Sequence, residues 1–121
     1  MRLMLRSKGL HYERLAEDYL VSHGLRLRCR NYNCRVGEID LIMEDGATLV
    51  FVEVRFRESA RFGGALESIT PKKQARVMRA AANFLQRTPR TAERPCRFDA
   101  VGITGSHAPP DICWIKGAFS A

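Results

Sequence analysis

Residues 37–57 read GEIDLIMEDGATLVFVEVRFR, and this stretch decides the fold. Two apolar, largely β-branched runs, Ile39–Met43 and Thr48–Phe56, flank Asp45-Gly46. Asp-Gly between such runs is among the strongest short-range hairpin signals, because the turns that match strand twist need positive φ. With Asp45-Gly46 taken as the two-residue turn, Glu44 pairs with Ala47 and Asp40 falls opposite Phe51. Directly opposed residues share a sheet face, and so do residues two apart on one strand. Asp40, Glu53 and Arg55 therefore project together, while Ile39, Leu41, Val50, Val52 and Val54 form a core surface on the other face. A one-residue slip would separate the acids.

Glu53 lies inside the run Leu49-Val50-Phe51-Val52-Glu53-Val54, where an uncompensated carboxylate is costly to bury. A hard cation such as Mg²⁺ accepts carboxylate oxygens and keeps several waters, so two acids on neighbouring strands suit it. An ion pair between Glu53 and a nearby arginine satisfies the same carboxylate without chemistry. Both readings stand on the residues alone. Glu38, two before Asp40, is a further ligand candidate or a solvated strand-start acid.

Working outward, Gly9 to His23 has helical periodicity: Tyr12, Ala16, Tyr19, Leu20 and His23 share a face, with Leu15 beside it. Gly24 is the stop. Glu13 borders the apolar stripe and faces a cleft more easily than Glu17, which lies toward solvent. Leu25–Cys29 predicts an edge strand, and Arg30, Asn31, Tyr32, Asn33 and Cys34 a polar bend. Residues 57–69, with Gly63-Gly64, read as a loop. Thr70 and Pro71 then supply an N-cap and first helical position, followed by the apolar face Val77, Met78, Ala81, Phe84 and Leu85. Lys73, four residues before Val77, points along that stripe. Arg97–Thr104 and Asp111–Lys116 read as two final strands. The order, one helix, three strands, one helix and two strands, implies an α/β fold with a mixed β-sheet flanked by helices.

The 121 residues fit one domain, 1–121, with no internal repeat or linker. No apolar run approaches the roughly 20 residues of a membrane helix. The opening MRLMLRSKGL lacks the apolar stretch and cleavage site of a leader, so a cytoplasmic protein is expected. A net charge of +7 and pI of about 9.7 favour polyanionic partners over acidic-surface or membrane-spanning classes. Arg2, Arg6, Lys8, Arg26, Arg28, Arg30 and Arg35 concentrate that charge in the first third, to track phosphates or simply to solvate the surface. Cys29, Cys34, Cys96 and Cys113 form no CxxC pair, so buried free thiols are expected rather than a zinc site. His11, His23 and His107 are scattered and read as surface or core-edge residues, and Trp114 as a core or interface anchor more than a base-stacking platform.

Gly37-Glu38-Ile39-Asp40-Leu41-Ile42, followed by Phe51-Val52-Glu53-Val54-Arg55-Phe56-Arg57, resembles the GEIDLI…FVEVKxR pattern of the YraN family of endonuclease-like proteins. That family belongs to the PD-(D/E)xK class, with restriction enzymes and Holliday-junction resolvases. Gly9, Glu13, Ala16, Tyr19-Leu20 and Gly24 resemble its opening helix. Asn31 and Gly37 resemble its path into the hairpin, Gly63, Thr70-Pro71 and Lys73 its second helix, and Arg97-Phe98-Asp99 its next strand. The likeness runs from Gly9 to Ile103. It implies a restriction-endonuclease-like core with the order αβββαββ. It also implies a Mg²⁺- or Mn²⁺-dependent endonuclease hydrolysing phosphodiesters of DNA, branched or single-stranded, with a homodimer by analogy to resolvases.

By the same resemblance Asp40 and Glu53 match the metal-binding acids, Glu13 the helix-borne acid and Lys73 a basic position on the second helix. Two residues depart from the pattern. Arg55 stands where the class usually has lysine, and Tyr12 where the family often has glycine. Arginine stays protonated, so it is excluded as a general base but still binds a phosphate and developing charge. The alternative that follows is a catalytically inactive nucleic-acid-binding module. A third, blander reading is a protein-partnered subunit whose acids are merely paired.

Overall fold

The computed structural model describes residues 2–59, 64–90, 93–105 and 108–120, with side chains from Gly9 onward. Gly63, His107 and the side chains of Arg2, Arg6 and Lys8 lie outside the described residues. The elements are α1 (Arg2–Ser22), β1 (Arg26–Cys34), β2 (Gly37–Asp45), β3 (Thr48–Arg57), a 3₁₀ turn (Leu66–Ser68), α2 (Pro71–Arg87), β4 (Cys96–Thr104) and β5 (Asp111–Phe119). The order αβββαββ expected from the sequence is the observed one.

The five strands form one sheet in the order β1-β2-β3-β4-β5. All neighbours are antiparallel except β3 and β4, which run parallel because α2 crosses over between them. The sheet is covered on both faces. α2 buries Val77, Ala80, Ala81 and Phe84 against Ile42, Leu49 and Phe51. α1 buries Ala16 and Leu20 against Leu41, Met43, Val50 and Val52. This double burial explains why β2 and β3 are nearly continuous apolar runs. Among the described residues no helix is long and apolar enough to cross a membrane.

The helix ends follow local chemistry. Thr70 Oγ1 accepts from the Lys73 N–H at 3.3 Å, and Pro71 takes the first helical position, where no N–H is needed. α1 starts at Arg2, seven residues before the expected Gly9.

The hairpin register differs from the sequence expectation by two residues. Asp45 pairs with Thr48 and Leu41 with Val52, so the turn residues are Gly46 and Ala47. The reason is conformational: Gly46, at φ 58°, takes the first central position, which leaves Asp45 in the ladder. A shift of two preserves the facing of the paired residues, Leu41–Asp45 with Thr48–Val52, which do not include Asp40 or Glu53. Ile39 does not follow the expected alternation. It packs in the α2 cluster, whereas Leu41 packs under α1. The β2–β3 ladder ends at Leu41–Val52, and beyond it the Asp40 carboxylate, not a backbone carbonyl, takes the Val54 N–H.

The polar bend expected at residues 30–34 is strand. β1 continues through Arg30–Leu41 and Tyr32–Ile39 pairs to Cys34–Gly37. A bulge between Leu27 and Cys29 and a positive φ of 50° at Asn31 let a polar sequence remain paired. Arg30 there forms a two-pronged ion pair with Glu17, at 2.6 and 2.9 Å. Glu17 is consequently buried, not directed toward solvent as periodicity suggested. Asp99 is wholly buried on β4 and satisfied by Arg97, the Trp114 indole N–H at 2.9 Å and the Gly117 N–H at 3.0 Å. Trp114 is thereby an anchor of β5, also touching Tyr19 and His23 edge-on. The four cysteines are free, but Cys29 and Cys34 are half-buried and Cys96 and Cys113 exposed, so the expected burial does not hold.

Candidate active site

The β2–β3 hairpin positions the acids where its ladder opens. Asp40 Oδ2 accepts the Val54 backbone N–H at 2.8 Å, which fixes the carboxylate between the strands. Glu53 follows on β3 with only 5% of its surface exposed. Burial pushes its carboxyl up to about 9, with the Asp40 charge and a hydrogen bond to Asp40 adding to the rise and Arg55 opposing it. Asp40 and Glu53 therefore meet, as the sequence reading required. Arg55 Nη2 stands 3.4 Å from Glu53 Oε1, so the ion-pair reading is also realised in part.

Glu13 reaches the same place from α1. Partial burial and the Asp40 charge raise its carboxyl to about 7, against a lowering hydrogen bond with Asn31 and a smaller upward push from Glu38. Glu13 Oε1 is buried with no hydrogen-bond partner.

Three adjoining cavities form one trench over these residues. The first, about 170 Å³, is lined by Glu53, Arg55, Lys73 and Arg76. The second, about 210 Å³, holds Glu13, Asp40 and Glu53 with Tyr12 and Phe56 as its aromatic wall. Those two rings stack at 3.8 Å. The third, about 370 Å³, extends over Gly9, Leu10, Asn31 and Asn33. Glu38 lines all three.

All five expected site residues, Glu13, Asp40, Glu53, Arg55 and Lys73, thus line one trench, although they come from four elements. Arg76, Asn31 and Gly9 line it too, beyond the site residues expected from the sequence. Arg76 was findable, since it lies three residues from Lys73 on the same helical face. For Asn31 the sequence carries only a weak signal, the tolerance of asparagine for positive φ. The basic cluster behaves differently from the trench. Arg26 and Arg28 approach Glu44 at 3.8 and 3.9 Å, Arg94 binds it at 2.6 Å, and Arg30 binds Glu17. His23 is engaged with the Tyr19 carbonyl and Trp114 rather than with the site.

Among the described residues no three His, Cys, Asp or Glu side chains are gathered as a ready metal-ligand group. The donor set nonetheless fits a Mg²⁺-like ion, which needs one or two carboxylates and retains water. Burial, with the Asp40 charge adding to it, raises the Glu53 carboxyl to about 9, and a cation bound between the pair, beside the orphaned Glu13 oxygen, would oppose that rise.

A model of "Uncharacterised protein family UPF0102" matches residues 12–103. The chain is 56% identical over 114 residues to a UPF0102 protein of Nitrosococcus oceani, covering 94% of this chain and 92% of that one. It is 55% identical over 117 residues to one of Nitrosospira multiformis, covering 97% and 96%. A third, from Stutzerimonas stutzeri, is 50% identical over 115 residues, covering 95% and 96%.

Proposed function

The chain belongs to the UPF0102 family, and we propose that it is a divalent-metal-dependent endonuclease that hydrolyses phosphodiester bonds of DNA. The observation that carries this reading is the meeting of Asp40 and Glu53 in a trench that also presents Arg55 and Lys73. Asp40 and Glu53 would hold Mg²⁺ or Mn²⁺. When bound, such an ion supplies Lewis acidity to a phosphoryl oxygen and lowers the pKa of water.

The chain's own groups divide the remaining work. The Val54 N–H holds the Asp40 carboxylate in one orientation, so little ordering is left for the bound state. Glu13, with its carboxyl near about 7, takes or releases a proton at neutral pH, where a general base or acid is most effective. Arg55 cannot serve as base but presents a permanent charge to the phosphate. Lys73 and Arg76 line the same cavity from α2 and add charge for the pentavalent state.

The test is cleavage of a panel of linear, branched and single-stranded DNA with Mg²⁺ or Mn²⁺. Wild type is expected to cut, and Asp40→Ala and Glu53→Ala to lose at least about a hundredfold, typical for removing a main electrostatic element. Variants cutting as well as wild type would refute the site assignment.

A second reading is favoured by one contact. Arg55 already lies against Glu53 at 3.4 Å, as a resident cation would in a site that only binds nucleic acid. It predicts salt-sensitive binding without metal and no cleavage. Arg55→Lys separates the two, since gain of cleavage in the variant alone would mark a degenerate nuclease.

A further inference from the structure

Gly9 lies within α1, where glycine costs about 1 kcal/mol relative to alanine. Its φ is not in the left-handed region, so no turn requires it. A Cβ built there meets no described atom within 4 Å, so no close packing requires it either. What the missing side chain leaves is space: Gly9 lines both the acid-pair cavity and the 370 Å³ chamber beside it.

The two ends of the trench differ in chemistry. The far end sets three cations, Arg55, Lys73 and Arg76, against the carboxyl groups of Glu38 and Glu53, which suits a phosphate. The chamber over Gly9 presents the carboxamides of Asn31 and Asn33, the carboxylates of Glu13 and Glu38, and Leu10. Leu10 is a large apolar side chain left 45% exposed. Two carboxylates with no cation among the described lining residues repel a phosphate, whereas amides and carboxylates together offer donors and acceptors to a flat, neutral, hydrogen-bonding group with an apolar face. Asn31 is held at positive φ within a strand and lines this wall together with Glu13.

We propose that the chamber over Gly9 receives a nucleobase, so that the substrate class is nucleic acid with an unpaired nucleotide beside the phosphate held at the acid pair. This rests on the nuclease reading for what the neighbouring phosphate does there, and deepens it by naming the substrate. A base within a duplex cannot enter, because its edge and faces are occupied by its partner and stack.

The experiment compares wild type with Gly9→Ala and Gly9→Met in the full chain. Binding of a labelled single-stranded oligonucleotide and of the same sequence as a blunt duplex is measured by anisotropy in EDTA, which keeps cleavage out of the readout. Both variants should be as thermally stable as wild type or more so. Gly9→Met should weaken single-strand binding by about tenfold, the value of about one lost base contact, and leave duplex binding within about twofold, with Gly9→Ala between. Equal loss on both probes, or no loss on either, overturns the chamber assignment while leaving the nuclease reading intact. Wild type that binds neither probe in EDTA overturns the chamber assignment and leaves the metal-dependent nuclease reading to the cleavage assay. Wild type that binds and discriminates as described but never cuts overturns the nuclease reading and supports the chamber.

Discussion

Replacing Gly37 by alanine is expected to lift α2 from the sheet. Gly37 begins β2, is buried, and sits under α2. An added Cβ would lie 2.4 Å from the Arg76 carbonyl oxygen and 3.1 Å from its carbon. Those are backbone atoms, so no rotamer change relieves the contact, and the helix or strand must yield by about half an ångström or more. Overpacking of this kind costs about 1–3 kcal/mol, and the reduced freedom of the unfolded chain returns about 0.4–1 kcal/mol. A net loss of about 1–2 kcal/mol follows, equivalent to several degrees in Tm for a chain of this size. Urea unfolding followed by far-UV circular dichroism measures it, with an unchanged m value as evidence that the unfolded state is the same. Truncating Ala80, whose Cβ is 3.5 Å away, should not restore stability, because it is not the obstructing atom. Arg76 and Lys73 ride on the displaced helix and line the trench with Glu53, so any cleavage activity should fall with stability. A Gly37→Ala protein as stable as wild type, or one rescued by Ala80→Gly, would refute the reasoning.

Other consequences concern the buried charges. Asp99→Ala strands the Trp114 and Gly117 N–H groups and part of the Arg97 guanidinium, and should cost about 3 kcal/mol in denaturant unfolding, with Asp99→Asn recovering part of it. Glu13 binds its proton more tightly folded than unfolded, so wild type should lose stability as pH rises from about 4.5 to about 7 in metal-free buffer. Glu13→Gln cannot ionise, and its stability relative to wild type should increase by about 1 kcal/mol across that window, partial exposure screening the full value, then level off; a pH-independent difference would contradict the assignment. Glu17 is held below the usual carboxylate range by its hydrogen bonds to Arg30, so its contribution is present above that range and disappears as pH falls through its folded pKa. Glu17→Gln should remove this acid-limb dependence and lower stability at neutral pH, both read from urea midpoints against pH.

The hairpin that carries the acids is legible from Asp45-Gly46 and the apolar runs on either side of it. The turn expected from the sequence is two residues out of register, and Asp40 and Glu53 meet for a reason that parity does not carry: beyond the last pair, Leu41–Val52, the Asp40 carboxylate takes the Val54 N–H next to Glu53. Lys73 could be placed because Thr70-Pro71 sets the phase of α2 from its first residue. Residues of β1 were not legible in the same way. Arg30-Asn31-Tyr32-Asn33-Cys34 carries every local mark of a bend, and it remains strand because β2 pairs with it through Cys34–Gly37. Glu17 was assigned to solvent for a related reason. Helical phase shows which way a side chain leaves its own axis, but not that Arg30 will arrive above it from another element.

That distinction also bears on the chemistry. The sequence could place two acids on one face, but not decide between a metal pair and an ion pair, because both need the same residues in the same parity. The structure narrows the choice through quantities that depend on three-dimensional closure. Arg55 approaches Glu53 from one side only, at 3.4 Å. Among the described residues Arg55 pairs with Glu53 alone, and neither Asp40 nor Glu13 forms an ion pair, although Lys73 and Arg76 line the cavity next to them, which leaves three carboxyl groups with one ion pair between them. A fold selected only for stability would be expected to relieve that excess, for instance by an amide at position 53 or an apolar residue at 13, since neither change would cost packing volume. Local charge imbalance of this sort persists where an ion or substrate completes it. The imbalance is therefore an argument for function that neither the carboxylates nor the arginine supplies alone. Its direct measure is whether Mn²⁺ raises the unfolding midpoint of wild type and fails to raise that of Asp40→Ala. A Mn²⁺ shift of equal size in both proteins would mean that the gathered carboxyl groups serve no bound cation at Asp40.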